Sequence, residues 1–180
     1  MKGLKVGLVR HFKVVRGYPH TLVTSAELMK WVGEYDASDV VENEIDLCNI
    51  EWKRCFSSDL PRAEKTARKA FQGSIVYLPE LREITLSPFV RWNIRIPLFV
   101  HLLCIRGAWL LNHRSQQEGK QAVFNRINAA LDQILLHDED VLIVGHGGIM
   151  MFMRQELLRR GFAGPKFRRA ENGKLYVFEK

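Results

Sequence analysis

Two histidines stand directly behind short apolar runs. Arg10-His11 follows Leu4-Lys5-Val6-Gly7-Leu8-Val9, and His146 follows Val141-Leu142-Ile143-Val144 inside the turn Gly145-His146-Gly147-Gly148. Each run has the length and apolar density of a buried strand, and open α/β sheets gather their ligands at the carboxyl ends of parallel strands. If these two strands are parallel neighbours, the imidazoles meet. A third unit, Arg54 to Ala63, reads as strand, turn and helix and delivers Arg62 on the first turn of that helix. The sum is a cationic pocket holding two imidazoles.

Such a pocket suits a phosphoryl group. Arginine keeps its charge and its planar fork matches phosphate oxygens. Helix starts add unpaired N–H donors and the positive end of a dipole, so the turns after Ser58 and around Gly147 and Gly148 are natural anion sites. Neighbouring positive charge disfavours imidazolium and leaves a histidine neutral and nucleophilic, which makes His11 the candidate nucleophile. Lys13, two residues on, is placed near the pocket mouth and would favour a second negative group on the ligand.

Taken singly, each residue has a plainer reading. Arg10-His11 alone is ordinary surface polarity, the glycine-rich turn around His146 an ordinary strand-to-helix link, Arg62 beside Glu64 and Lys65 a solvated helix face, and Glu83 a solvent contact. Their joint occurrence is what carries weight. Arg10-His11, the run Ser58-Asp59-Leu60-Pro61-Arg62-Ala63-Glu64-Lys65-Thr66-Ala67, Leu81-Arg82-Glu83 and Val144-Gly145-His146-Gly147-Gly148 occur in the order and rough spacing of the histidine phosphatase superfamily. The chain resembles its phosphoglycerate mutase-like branch over roughly residues 4 to 150.

That resemblance implies a fold and a mechanism. The fold is a three-layer α/β/α sandwich with a mostly parallel central sheet. Residues 1–180 would form one domain, with 85–119 as a helical lid-type insertion over the site. His11 would attack phosphorus while Arg10, Arg62 and His146 hold the equatorial oxygens, and Glu83 would protonate the leaving oxygen and later deprotonate water. No metal or other cofactor is implied, because fixed cations neutralise the transferring group. The expected activity is hydrolysis of a phosphomonoester, on a small metabolite or a phosphoprotein, through phosphohistidine. Two alternatives stay open: a catalytically impaired phospholigand binder, and a phosphoglycerate mutase-type phosphotransferase, for which the chain is short.

The departures from the family pattern make expectations of their own. Phe12-Lys13 stands where glycine and an acidic or amide residue are usual, so a bulky side chain is expected to crowd the backbone beside the phosphate. Gly17 stands where an asparagine often contacts phosphate. Glu83 leads into Ile84-Thr85-Leu86-Ser87-Pro88-Phe89 in place of glycine and acid.

Composition fits a soluble enzyme-sized chain: 180 residues, 47% hydrophobic and 26% charged. Arg10 and His11 break the N-terminal apolar run, so no leader is expected, and Ile96 to Leu111 carries His101 and Arg106, too polar to span a bilayer. Cys48, Cys55 and Cys104 form no C-x-x-C pair, which points to a reduced, cytoplasmic setting, and the six histidines show no metal-ligand spacing. A net charge of +7 is concentrated near the tail, in Arg154, Arg159, Arg160, Lys166, Arg168 and Arg169, without a stacking series of aromatics. This reads as a solvated basic face or a steering field for phosphorylated ligands, and neither nucleic acid nor membrane is expected as a partner. A homodimer stays open.

The positioning elements are legible too. Thr24-Ser25-Ala26-Glu27 is a capping box opening a helix through about Tyr35, Glu42 to Asp46 reads as a loop, and Ser74 to Leu78 as a strand. The insertion is rich in Phe89, Trp92, Ile94, Ile96, Leu98, Phe99 and Trp109, which serves a lid, a dimer face or core equally. Glu118-Gly119 precedes an apolar stripe, Ala122-Val123-Ile127-Ala130-Leu131-Ile134-Leu135, that predicts a helix packed on the sheet.

Overall fold

Alternating strands and helices wind a sheet covered on both faces. The computed structural model describes residues 3–85, 87–88 and 93–180. In chain order the elements are β1 (Lys5–Arg10), β2 (Lys13–Val14), α1 (Ser25–Ala37), β3 (Val40–Val41), β4 (Arg54–Ser57), α2 (Pro61–Ala70), β5 (Ile75–Tyr77), α3 (Leu98–Leu110), α4 (Lys120–Ile134), β6 (Val141–Gly145), α5 (Gly147–Arg159) and β7 (Leu175–Glu179). The main sheet has five strands in the order β5-β4-β6-β1-β7. Its first four strands are parallel, and β7 closes the edge antiparallel to β1. A two-stranded ribbon of β2 and β3 stands apart from it.

Strand alternation sorts the side chains onto two cores. Val6, Leu8, Phe56, Val141 and Ile143 face α4 and α5, where Val123, Ile127, Leu131, Ile149 and Met153 complete the larger core. Val9, Cys55, Leu142 and Val144 face the other way, onto Ala63, Ala67 and Ala70 of α2. Every residue of β6 is buried, as a central parallel strand requires. That placement explains its uninterrupted apolar run. The register sets Arg10 opposite Gly145, so both histidine-bearing strand ends finish at the same level.

The predicted elements hold, with small shifts at their ends. Thr24 caps α1 and Glu27 reaches back to the Thr24 N–H at 2.8 Å, completing the capping box. The Ser74–Leu78 strand is observed as β5, and the stripe after Gly119 is the buried face of α4. Inside 85–119, α3 packs His101 and Ile105 toward α1, with His101 Nε2 donating to the Val23 carbonyl at 2.8 Å. Its other face keeps Phe99, Leu103 and Leu110 exposed. Phe89 and Trp92 lie outside the described residues. Strands β2, β3 and β7 have no counterpart among the sequence expectations: two residues are too few for a periodic signal, and Leu175 to Glu179 follows a stretch dominated by basic residues.

Candidate active site

The parallel pairing of β1 and β6 brings the two imidazoles together. His11 follows the last residue of β1, and its N–H donates to the Gly145 carbonyl at 2.9 Å. His146 occupies the position just before α5, without a side-chain capping bond. Ring centroids lie 5.2 Å apart, with the planes tilted by 54°. Both residues are buried. Arg10 comes from the end of β1 and Arg62 from the first turn of α2, so three separate strand ends deliver the site.

Hydrogen bonding sets the proton positions. His11 Nδ1 lies 2.6 Å from the Phe12 carbonyl. A carbonyl oxygen only accepts, so Nδ1 carries the hydrogen and Nε2 presents its lone pair. Ser58 Oγ accepts the Leu60 N–H at 3.3 Å and lies 2.9 Å from His146 Nε2. With the hydroxyl proton given to His146 Nε2, the opposite nitrogen, Nδ1, is the N–H. Among the described residues, that Nδ1 has no protein partner and neither do Arg10 Nε or Arg62 Nε, all three being buried. Buried donors ordinarily find an acceptor. Here three such nitrogens come from three elements of one site.

Electrostatics keep both rings neutral. Burial is the largest cause of the His11 pKa falling to about 3, with Arg62 and Arg10 lowering it further against the opposing pull of the Phe12 carbonyl. His146 is pushed well below its ordinary value, again first by burial and then by Arg62, His11 and Arg10. A neutral His11 is a competent nucleophile, and a neutral His146 remains a donor.

The guanidinium groups are braced from outside. Arg62 is buried, donates to Asp36 Oδ1 at 2.7 Å and lies 5.5 Å from the centroid of the Tyr35 ring. Tyr35 belongs to an aromatic group with Trp31 and Tyr18, at 5.2 and 6.2 Å, which flanks the arginine. Arg10 donates to the Ala170 carbonyl at 2.8 Å. Gly147 lies against it, and a Cβ there would meet the guanidinium carbon at 3.2 Å, so the absent side chain lets Arg10 lie on the backbone of the turn.

Phe12 does not crowd the pocket as expected. Its ring sits in a separate cluster with Val14 and Val40, where it is fully buried. Gly173, at φ +67°, a backbone conformation that favours glycine, passes close over that ring; a Cβ would meet it at 3.1 Å. The Phe12 N–H is taken by Thr66 Oγ1 at 2.9 Å, and that hydroxyl donates to the Arg62 carbonyl at 2.8 Å. Thr66 thereby ties the segment that bears His11 to the helix bearing Arg62. The Gly17 carbonyl accepts from the Trp31 indole at 2.9 Å. Lys13 is exposed on β2, beside buried Val14.

Glu83 lies where the α5 start was expected to receive an anion. Its carboxylate accepts the N–H groups of Gly148 at 2.9 Å, Ile149 at 3.0 Å and Ile84 at 3.0 Å. It supplies from a distance the cap that α5 lacks locally. A Cβ on Gly148 would come within 2.6 Å of Glu83 Oε1. Gly148→Ala should therefore eject the carboxylate and lower stability by about 1–2 kcal/mol, the scale of a lost helix cap, in urea unfolding. An unchanged midpoint would show that this cap contributes nothing.

Several contributors carry little or no signal in the sequence. Asn172 Nδ2 donates to the His11 carbonyl at 2.7 Å, and the Gly173 N–H donates to the Arg10 carbonyl at 2.9 Å. Asp36, Thr66 and Ser58 complete the support. Ser58 and Thr66 lie inside the motif run already singled out, and Asn172-Gly173 is a turn-forming pair. Nothing local marks Asp36. Among the described residues, no group of three or more His, Cys, Asp or Glu is arranged to hold a metal ion, and no helix is long and apolar enough to cross a membrane.

A mostly parallel sheet with paired histidines and two arginines at its strand ends defines a class of phosphoryl-transfer protein. The family model for the histidine phosphatase superfamily, branch 1, matches residues 32–179, and the chain belongs to that superfamily. Solved structures share the fold at low identity. An alpha-ribazole phosphatase from Shigella flexneri superposes with a TM-score of 0.60 at 19% identity, over 97% of this chain and 89% of that one. A phosphoglycerate mutase from Thermus thermophilus gives 0.58 at 19%, over 97% and 92%. A mycobacterial glucosyl-3-phosphoglycerate phosphatase gives 0.53 at 16%, over 88% and 81%. Comparison with curated proteins returns no match.

Proposed function

We propose that this protein is a phosphatase that hydrolyses a phosphomonoester through a phosphohistidine on His11, without a metal ion. The observation that carries the reading is the fixed tautomer of His11. The Phe12 carbonyl holds Nδ1–H at 2.6 Å and leaves the Nε2 lone pair free, in a site where Arg10 Nε, Arg62 Nε and His146 Nδ1 are buried without a partner among the described residues.

Nε2 attacks phosphorus in line and the ester P–O bond breaks toward the leaving oxygen, which takes a proton. Arg10, Arg62 and His146 Nδ1–H bear the charge spread over the equatorial oxygens, the part metal ions play in nucleotide phosphoryl transfer. Water then attacks the phosphohistidine, its proton is removed, and the N–P bond breaks to return neutral His11 and phosphate. Glu83 is the carboxyl group that manages these protons. Its support is placement, with both oxygens against Gly148 and Ile149, just beyond His146.

Hydrolysis of an activated aryl phosphate in the presence of chelator, followed by an alkaline quench, tests the reading. Turnover together with an acid-labile phosphoprotein is the expected result. Turnover that disappears with the chelator would overturn metal independence. Phosphate binding with no turnover and no phosphoprotein would replace hydrolysis with ligand binding.

A further inference from the structure

Helix α3 turns an apolar side to solvent as well as one to the core. His101, Ile105, Ala108 and Trp109 form its buried face, packed toward α1 and the main core. Phe99, Leu103, Arg106 and Leu110 occupy the opposite side, where their spacing keeps them on one stripe of the helix. Phe99 is 69% exposed and Leu103 68%, and Leu111, just past the last turn, is 83% exposed. A helix at a protein surface ordinarily gives water a polar face. On this stripe only Arg106 is charged.

The charge around that stripe has one sign. Residues 84–117 contain no Asp or Glu, and they carry Arg91, Arg95, Arg106 and Arg114. The carboxylates that bound the stretch are engaged elsewhere: Glu83 accepts the N–H groups at the start of α5, and Glu118 is paired with Arg126. Glu27 of α1 takes Arg95 at 2.6 Å. Arg106 and Arg114 are exposed and make no ion pair among the described residues. A partner for this face must offer apolar depth and negative charge together. A second copy offers only the first, because a twofold pairing of two such faces sets positive charge against positive charge with no carboxylate in 84–117 to match it. An anionic bilayer offers both. Its acyl chains take the stripe, and its headgroup phosphates take the arginines, whose long stems carry the charge outward from an apolar contact.

We propose that α3 docks on an anionic lipid surface, with Phe99, Leu103 and Leu110 in the acyl boundary and Arg106 and Arg114 on the headgroups. The helix lies on the membrane and does not cross it; among the described residues no helix is long and apolar enough to span. Weighed as a span, Ile96 to Leu111 is too polar, but a helix lying in the interface plane needs only one apolar face. The docking does not depend on the phosphatase reading. The phosphate pocket is built on β1, α2 and α5, so lipid binding and phosphate binding are separately measurable.

Flotation with lipid vesicles tests it without reference to turnover. The protein should float with vesicles of equal parts phosphatidylcholine and phosphatidylglycerol, stay behind with phosphatidylcholine alone, and be released by added salt. Leu103→Ser and Phe99→Ser keep every charge, and each should weaken binding on the order of 10-fold. Arg106→Gln keeps the apolar side chains and should weaken it by a smaller factor. Both apolar side chains are exposed, so unfolding midpoints should not move, which separates lost docking from lost fold. Failure to float with the mixed vesicles would overturn the proposal. So would flotation that Leu103→Ser and Phe99→Ser leave intact, since that assigns the binding to basic residues elsewhere. A wild-type dimer in sedimentation equilibrium that Leu103→Ser converts to a monomer would give the face to a second copy instead.

Discussion

Replacing His11 with asparagine eliminates the phosphoprotein and lowers turnover on the order of 10⁴- to 10⁶-fold, the range seen when a covalent nucleophile is removed from other enzymes. Asparagine is the informative substitution. Its amide can keep the bond to the Phe12 carbonyl that His11 Nδ1 makes, and it avoids the cavity that alanine would leave at a buried position. Arg10, Arg62 and His146 remain, so phosphate affinity should persist within a few fold. Loss of binding together with turnover would mean that the variant had disturbed the pocket. Turnover within tenfold of wild type, with phosphoprotein still trapped, would place the nucleophile elsewhere.

Acid should unfold the ligand-free protein through its own site. In the unfolded chain both histidines titrate near pH 6.5. In the folded protein His11 is lowered to about 3, and His146 well below its ordinary value, both chiefly by burial. The unfolded state therefore binds more protons as pH falls from about 6.5, and stability falls with it, down to the folded-state values. At up to about 1.4 kcal/mol per pH unit for each histidine, the pair forfeits on the order of 3 kcal/mol between pH 6.5 and 5. Urea titrations across that range measure it directly. His11→Asn should remove about half of the pH slope, and inorganic phosphate should raise the midpoint throughout by binding only the native state. A wild-type slope no steeper than that of His11→Asn would show that burial of His11 carries no such cost.

What the sequence displayed and what it hid divide along contact distance. The strand-end histidines, Arg62, the capping box and the α4 stripe are local patterns, each written within a few residues, and all sit where the pattern placed them. Glu83 was visible as a residue, but its use as the distant cap of α5 was not, because that bond joins positions 65 and 66 apart. The fate of Phe12 was hidden for the same reason. Its bulk was plain, but the ring's place depends on Val40 and Gly173, which reach it from distant parts of the chain. Asp36 and Asn172 carry no periodicity at all, and they became meaningful only when Arg62 and the His11 carbonyl arrived beside them.

The contacts of Ala170, Asn172 and Gly173 with Arg10 and His11 also give the protein a timetable. A ribosome releases Arg10 and His11 early, yet the carbonyl that holds Arg10 and the amide that holds the His11 backbone belong to residues 160 and 161 positions later. A nascent chain long enough to contain both histidines and Arg62 still lacks those two anchors. It also lacks β7, the strand that covers the free edge of β1. Until β7 has emerged, β1 is an open edge and His11 lacks these anchors. A chain cut before Arg169 forfeits both the anchors and the cover of that edge.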